Sequence, residues 1–561
     1  MSYSSFIATQ RESNSDSILK YDAKAIASYY NKRPWLGLFR ALKIITLFSI
    51  FVVQLQFDKW FKQQAKNKQA RAESLRKILT KLGATFIKVG QALSTRPDLI
   101  KPDFLEELIK LQDQLPPFDN ETAFNIIETQ LDMPVSQAYR VISPNPVAAA
   151  SLGQVYKAVL HTGEEVAVKV QRPNLLPVIT LDLYIMRLGS RWIAPFLPLN
   201  LGHDLGLIVD EFGIKLFEEI DYVNEARNAE KFAANFLNDD EVKVPCIYWR
   251  YTHHKVLTLE WINGYKLNDL DAIRGAGLDA DAIIKIGVTS GLKQLLEHGF
   301  FHADPHPGNL FAMQDGRMAY IDFGMMDQLD EHTKETIASS IVQLINQDYQ
   351  ALARDFVELG FLSPTTDITP IIPALETVLG NAVGQSVGDF NFQTITNDFS
   401  QLMYEYPFRV PAKFALIIRS LVTQEGLALS LNPDFRIVEV SFPYVSRRLL
   451  TGESPAMRSR LLEVLFKDDK FQWERLEHMI SIAKSDHKFD LLPTAGLGLQ
   501  FIMSEEGDYL RRQIIYALVE DDRLHTEEIH RLWQLVQPDL QPNKILDVAF
   551  NAIKQLSLKI A

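Results

Sequence analysis

Two prolines set the tightest limit on how this chain folds. They lie in Phe301-His-Ala-Asp-Pro-His-Pro-Gly-Asn-Leu310, which is followed shortly by Tyr320-Ile-Asp-Phe-Gly324. Pro305 and Pro307 exclude a helix across the first segment, because each fixes φ and removes a backbone donor. Asp304 and Asn309 must therefore sit on a loop, and Asp322 follows the strand-like pair Tyr320-Ile321. His302 and His306 have the spacing of a helical zinc motif, but without a helix that motif fails. What is left is a loop region with three hard oxygen-bearing side chains, the donor type that magnesium prefers.

The rest of the chain is large enough to support such a site. At about 150 residues per domain, 561 residues make two to four folding units. Hydrophobic residues are 47% and charged residues 23%, the balance of a globular protein with ample core. The formal charge of −12 argues against a nucleic-acid partner on global electrostatics. One cysteine, Cys246, excludes an intrachain disulfide and a Cys-rich zinc site, and fits a reducing compartment. No repeat of solenoid period stands out.

No charged-then-apolar leader with a cleavage site opens the chain, so an intracellular protein is expected, soluble or peripherally attached to a membrane. The greasiest region, Trp35 to Val53, ends at Gln54, Gln56 and Asp58, and a spanning helix needs about 20 apolar residues. Two readings stay open. Lys32, Arg33, Arg40 and Lys43 beside Trp35, Phe39 and Phe48 suit an anionic lipid surface; the alternative is a helix packed on its own protein.

Further along, Leu75, Ile78, Leu79 and Leu82 mark a helix face that continues through Phe86 and Val89 to Leu93. Asp103 to Leu115 reads as another helix, between prolines. Gln154–Leu160 and Glu165–Val170, joined by His161-Thr-Gly-Glu164, read as strand, turn, strand. Val166, Val168 and Val170 share one face, and Ala167 and Lys169 the other. Helical patterns return near Leu175, Phe212 and Ala282, and dominate from Asp330 onward.

Four segments carry chemistry. Ala148-Ala-Ala-Ser-Leu-Gly-Gln-Val155 is a small-residue loop whose backbone N–H groups could approach phosphate oxygens. Lys169, on a half-buried strand, needs a phosphate or a carboxylate as partner, and its face-mate Ala167 leaves room for a flat base. Glu218-Glu-Ile-Asp-Tyr-Val-Asn-Glu-Ala226 puts Glu218, Asp221 or Tyr222, and Glu225 at helical spacing, which would line one face with carboxylates and offer Lys169 its partner. The fourth is the proline loop with Asp322-Phe-Gly324. Its layout is that of a kinase catalytic loop, an Asp for the acceptor followed by an Asn and an Asp for Mg²⁺. No Walker A and no complete G-x-G-x-x-G occur. Val256–Glu260 lies, by order, where a kinase hinge would meet adenine.

These residues resemble the UbiB family of atypical kinases, the aarF-domain or ADCK group, over about residues 75 to 345. The specific elements are Lys88-Val-Gly-Gln91 for its K-x-G-Q signature, Ala148-Ala-Ala-Ser151 in place of a glycine-rich loop, Glu219-Ile-Asp221 for E-x-D, His302–Asn309, and Asp322-Phe-Gly324. The resemblance implies an α+β, two-lobed protein-kinase-like fold with an N-terminal helical extension and a long helical tail. It implies ATP and Mg²⁺ as cofactors, Lys169 on the phosphates and paired with Glu225, Asp304 as catalytic aspartate, and Asn309 and Asp322 as metal ligands. Nucleotide contacts are expected from Ala148, Ala149, Ala150, Ser151, Gly153, Val155, Ala167, Lys169, Glu260, Lys88, Gln91, Glu219 and Asp221. Lys88, Gln91 and Thr95 fall at i, i+3, i+7, on one helix face directed into the cleft.

The expected division is residues 1–74 as an amphipathic region, 75–130 as the K-x-G-Q extension, 131–262 as the N-lobe, 263–345 as the C-lobe core and 346–561 as a helical extension. Little chain separates Gly324 from the next helix, near Asp330, and no Ala-Pro-Glu element follows, so a long activation loop and its peptide platform are absent. By resemblance the function is that of an atypical kinase or ATPase in prenyl-quinone or isoprenoid-lipid metabolism, with a lipid partner and no nucleic acid. A Ser/Thr protein kinase and a nucleotide-gated lipid-binding module without phosphoryl transfer are the alternatives.

Overall fold

The computed structural model describes residues 19–94, 116–193, 205–384, 410–432 and 437–451, with shorter stretches and single positions elsewhere. Thr95 and most of the helix expected at 103–115 lie outside the described residues. The chain is α+β and divides into two compact units.

The first unit comprises residues 1–286, 302–327 and 412–427. Its first described elements are the helices α1 (Ala23–Asn31), α2 (Pro34–Trp60), α3 (Gln64–Leu82) and α4 (Ala84–Leu93). The turn between α2 and α3 is held by a buried carboxylate. Asp58 accepts from Arg71 Nε at 2.6 Å and from Asn67 Nδ2 at 2.6 Å. The apolar face running from Leu75 to Leu93 is not one helix. Gly83 adopts φ +99°, a conformation in which a Cβ is costly, and the chain breaks there into α3 and α4.

α2 is 27 residues long and apolar, with a mean hydropathy of 2.1 in its best window, of which 11% is buried. Both sequence readings keep support, because the helix packs on its own protein along one side and stands exposed along the other. Trp35, Phe39 and Trp60 stand exposed. Its inner side is fixed at Ile44, Leu47 and Phe48, which pack on Leu79, Leu82 and Phe86. Arg40 adds two anchors, donating to Asp182 Oδ1 at 2.7 Å and to the Leu82 carbonyl at 2.7 Å.

α5 (Asn120–Leu131) precedes an antiparallel sheet of β1 (Val141–Ile142), β2 (Ala148–Ala149), β3 (Gly153–Val159), β4 (Glu165–Gln171) and β6 (Val256–Glu260), with the path β1-β3-β4-β6 and β2 on β3. The expected hairpin is β3–β4, with Val155 opposite Lys169 and Lys157 opposite Ala167. Val166, Val168 and Val170 are fully buried against Tyr139, Tyr156 and Ile127 of α5, leaving the Ala167–Lys169 face for the site. α6 (Leu175–Ile193), α7 (Leu205–Ile220) and α8 (Tyr222–Asn235) fall between β4 and β6. A second sheet orders β5 (Val242–Lys243), β10 (Met318–Tyr320), β9 (Leu310–Met313) and β7 (Gly264–Lys266). β8 (Phe300–His302) leads into the proline loop.

The second unit, residues 287–301, 328–411 and 428–561, is mainly helical in its described part, with a short antiparallel pair at Phe466–Lys467 and Lys470–Phe471. It contains α10 (Glu331–Ile345), α11 (Tyr349–Glu358), α12 (Ile371–Gly384), α14 (Ile437–Thr451) and α15 (Trp473–Lys484). Arg475 pairs with the buried Asp348 at 2.8 Å. The chain reaches the second unit through α9 (Ala280–Lys293), and α13 (Ala412–Leu431) belongs to the first unit up to Leu427.

Candidate active site

Lys169 projects from β4, where it stands opposite Val155 of β3 and Leu257 of β6. Its ammonium donates to both oxygens of Glu225, at 2.8 and 2.9 Å, and lies 3.6 Å from Asp322 Oδ2. The Tyr222 ring sits 5.3 Å away. Burial alone would lower the lysine's proton affinity, but the charges of Asp322 and Glu225 hold it well above its ordinary value. Glu225 is raised to about 7, chiefly by burial. Asp322 goes the other way: burial would raise it, yet the Lys169 charge and the Gly324 N–H hold it at about 2. One ammonium serves two carboxylates, and each also has a backbone donor, Phe323 for Glu225 and Gly324 for Asp322.

The expected single carboxylate face at 218–226 is corrected. α7 ends at Ile220, and Asp221 is the N-cap of α8, accepting from the Val223 N–H at 3.1 Å. Asp221 is buried, and also accepts from the Leu19 N–H at 2.8 Å and contacts His254 Nδ1 at 2.7 Å. Its side chain is thus committed to joining the chain start, α8 and the loop before β6. Glu225 is in the first turn of α8. Glu219, on α7, forms an ion pair with Lys88 of α4, both largely buried. Gln91 donates to the Leu111 carbonyl at 3.1 Å.

The proline loop is shaped by its own polar groups. The Asp304 N–H donates to His302 Nδ1 at 3.1 Å, and the Ala303 N–H to the Met325 carbonyl at 2.9 Å. His306 caps the short turn Pro307–Asn309 by accepting from the Gly308 N–H at 3.1 Å, so neither histidine is arranged as a zinc ligand. Asn309 Nδ2 lies 3.4 Å from Asp322 Oδ2, and Gly324 N–H donates to Asp322 Oδ1 at 2.9 Å. Asn228 of α8 donates to the Phe323 carbonyl at 3.1 Å, tying that turn to the helix that carries Glu225. Burial keeps the His302 imidazole below its ordinary value, against the pull of Asp322 and Asp304.

The alanine loop is braced from behind. β2 pairs Ala148 with Val155 and Ala149 with Gln154, and the Ala150 N–H donates to the Gly153 carbonyl at 2.8 Å. Arg172 donates to the Ala150 carbonyl at 2.9 Å, and Ser151 is buried. Gly153 is required by space: a Cβ there would lie 2.4 Å from the Tyr222 hydroxyl and 2.6 Å from the Val170 carbonyl. Glu260, at the end of β6, spends its carboxylate on Lys243 at 2.7 Å and on the Cys246 N–H at 3.1 Å.

Lys169, Glu225, Asp322 and Asn309 are therefore adjacent, with Lys88 and Glu219 at the α4–α7 contact. Asp304 meets a residue that sequence reasoning missed. Arg419, on α13, donates to Asp304 Oδ2 at 2.6 Å. No spacing rule points to it, because it lies far beyond the last motif.

The ABC1 atypical kinase-like domain matches residues 110–356, and the UbiB helical domain matches residues 375–436. An uncharacterized protein of Synechocystis is 71% identical over 98% of this chain and 97% of its own. The Arabidopsis chloroplastic protein ACTIVITY OF BC1 COMPLEX KINASE 1 is 45% identical over 89% of this chain and 76% of its own. Among solved structures, the Mycobacterium tuberculosis Rv3197–erythromycin complex is 24% identical, with a TM-score of 0.46, covering 69% of this chain and 97% of that one. With motifs in order, both domain models matched and near-full-length relatives at high identity, the chain belongs to the ABC1/UbiB family of atypical kinase-like proteins.

Proposed function

We propose that this protein binds Mg-ATP and transfers or hydrolyses its γ-phosphate, acting at a membrane surface on a prenyl-quinone precursor or other isoprenoid lipid. The observation that carries the reading is the Lys169–Glu225 pair beside an Asp322 that also touches Asn309.

Asp322 and Asn309 fit a magnesium ion: both offer hard oxygens, they are adjacent, and Asp322 stays ionised. Bound there, the ion would neutralise charge on the phosphate oxygens. Lys169, kept protonated, would hold phosphate oxygens of the nucleotide. The alanine loop would cover them with backbone N–H groups, and Ala167 would leave space for the base. Asp304 would take the proton of the attacking hydroxyl or water. Its carboxylate stands at the start of a loop stiffened by Pro305 and Pro307, which favours a fixed approach.

The acceptor class rests on the family resemblance and on the exposed apolar α2, which suits a protein working at a bilayer. The short link between Gly324 and α10 leaves little chain for docking a peptide, which weighs against protein substrates. The test is ATP turnover by purified protein with lipid vesicles and a phenolic quinone precursor. Turnover is expected, with Asp322→Asn reduced to background. Equal turnover by Asp322→Asn would refute the reading. Stabilisation by Mg-ATP with no product formed would favour a nucleotide-gated lipid binder instead.

A further inference from the structure

The proline loop, Asp304-Pro-His-Pro-Gly-Asn309, contains no lysine or arginine. The cations placed nearby by sequence have other partners, Lys169 with Glu225 and Lys88 with Glu219. The guanidinium that meets Asp304 comes instead from α13, in the stretch matched by the UbiB helical domain and not by the kinase-like domain. That stretch, 412–427, lies in the same compact unit as the loop. Both side chains are largely buried, at 14% and 19% exposure, so this is no solvent-screened surface pair. Arg419 donates to Asp304 Oδ2, and among the described residues Oδ1 accepts no hydrogen bond.

We propose that Arg419 is a positioning residue for Asp304: it holds one carboxylate oxygen and thereby aims the other at the attacking group. The inference rests on the phosphotransfer reading above. In that step the attacking oxygen forms a bond to the γ-phosphorus and its proton passes to Asp304 Oδ1. The bond from γ-phosphorus to the bridging oxygen breaks, and ADP leaves with the electron pair. A carboxylate held by a charged donor at one oxygen keeps its plane fixed while the other oxygen takes the proton.

The experiment uses the full-length protein and compares wild type, Arg419→Met, Arg419→Lys, Asp304→Asn and the double variant Asp304→Asn/Arg419→Met. For Arg419→Met, kcat for ATP is expected to fall about tenfold or more with KM within about twofold, the pattern of a lost transition-state interaction. Arg419→Lys should recover part of the rate. In the Asp304→Asn background the further loss from Arg419→Met should vanish, because the two act as a unit. A kcat that is unchanged or raised in Arg419→Met overturns the proposal, a rise being the mark of an inhibitory contact. So does a loss that persists undiminished in the double variant. Should Arg419→Met fail to fold by circular dichroism, Arg419→Lys decides, and a wild-type kcat overturns. Failure of the phosphotransfer reading looks different: either wild type shows no turnover, or Asp304→Asn turns over like wild type whatever stands at 419.

Discussion

Lys169 holds two carboxylates at once, and removing it tests both. In Lys169→Met the buried Glu225 loses its counter-charge, and unfolding by denaturant is expected to show a loss on the order of 3 kcal/mol at pH 8. Glu225 binds its proton more tightly folded, near 7, than at the ordinary 4.5. A group raised in this way contributes stability in full below its unfolded value and loses it as pH rises through the folded one. Without Lys169 the folded Glu225 is raised further still, so the deficit of Lys169→Met should grow as pH rises above about 7 and level off below it, and a pH-independent deficit would contradict this. Gly153→Ala drives a methyl into Val170 carbonyl and the Tyr222 hydroxyl, and should cost about 1–3 kcal/mol, read by thermal unfolding.

Some elements were legible in the sequence because their periodicity is simple. The β3–β4 hairpin alternates valine with smaller or charged residues, and its turn is marked by Gly163. Others were hidden because register survives the break: apolar positions keep helical spacing across Gly83, so only its φ separates α3 from α4. Asp221 was hidden by its own versatility, since an acidic residue before a helix reads equally well as a cap or as a ligand. Arg419 was invisible because long-range pairing leaves no local pattern. Helix α2 carries a prediction of its own. Replacing Trp35, Phe39 and Trp60 together by serine should abolish co-sedimentation with anionic vesicles and leave the melting temperature within about 2 °C, since these side chains are exposed. Undiminished vesicle binding by that variant would remove α2 as the membrane contact.

At the level of the whole protein, ligand linkage gives the broadest check. Mg-ATP at a hundred times its dissociation constant should stabilise the fold by about 2.7 kcal/mol, and a chelator should remove most of that gain. An unchanged melting curve in both conditions would count against nucleotide binding. The division of the chain matters here as well, because the first unit is assembled from three separated stretches, the last of them 412–427. Asp304 and Arg419 are 115 residues apart in sequence. At 5–20 residues per second a ribosome needs roughly ten seconds to cover that distance. Throughout that interval a nascent chain carries its proline loop without the guanidinium that orients it, so chemical competence is a late event of synthesis, reached only when α13 emerges and folds back.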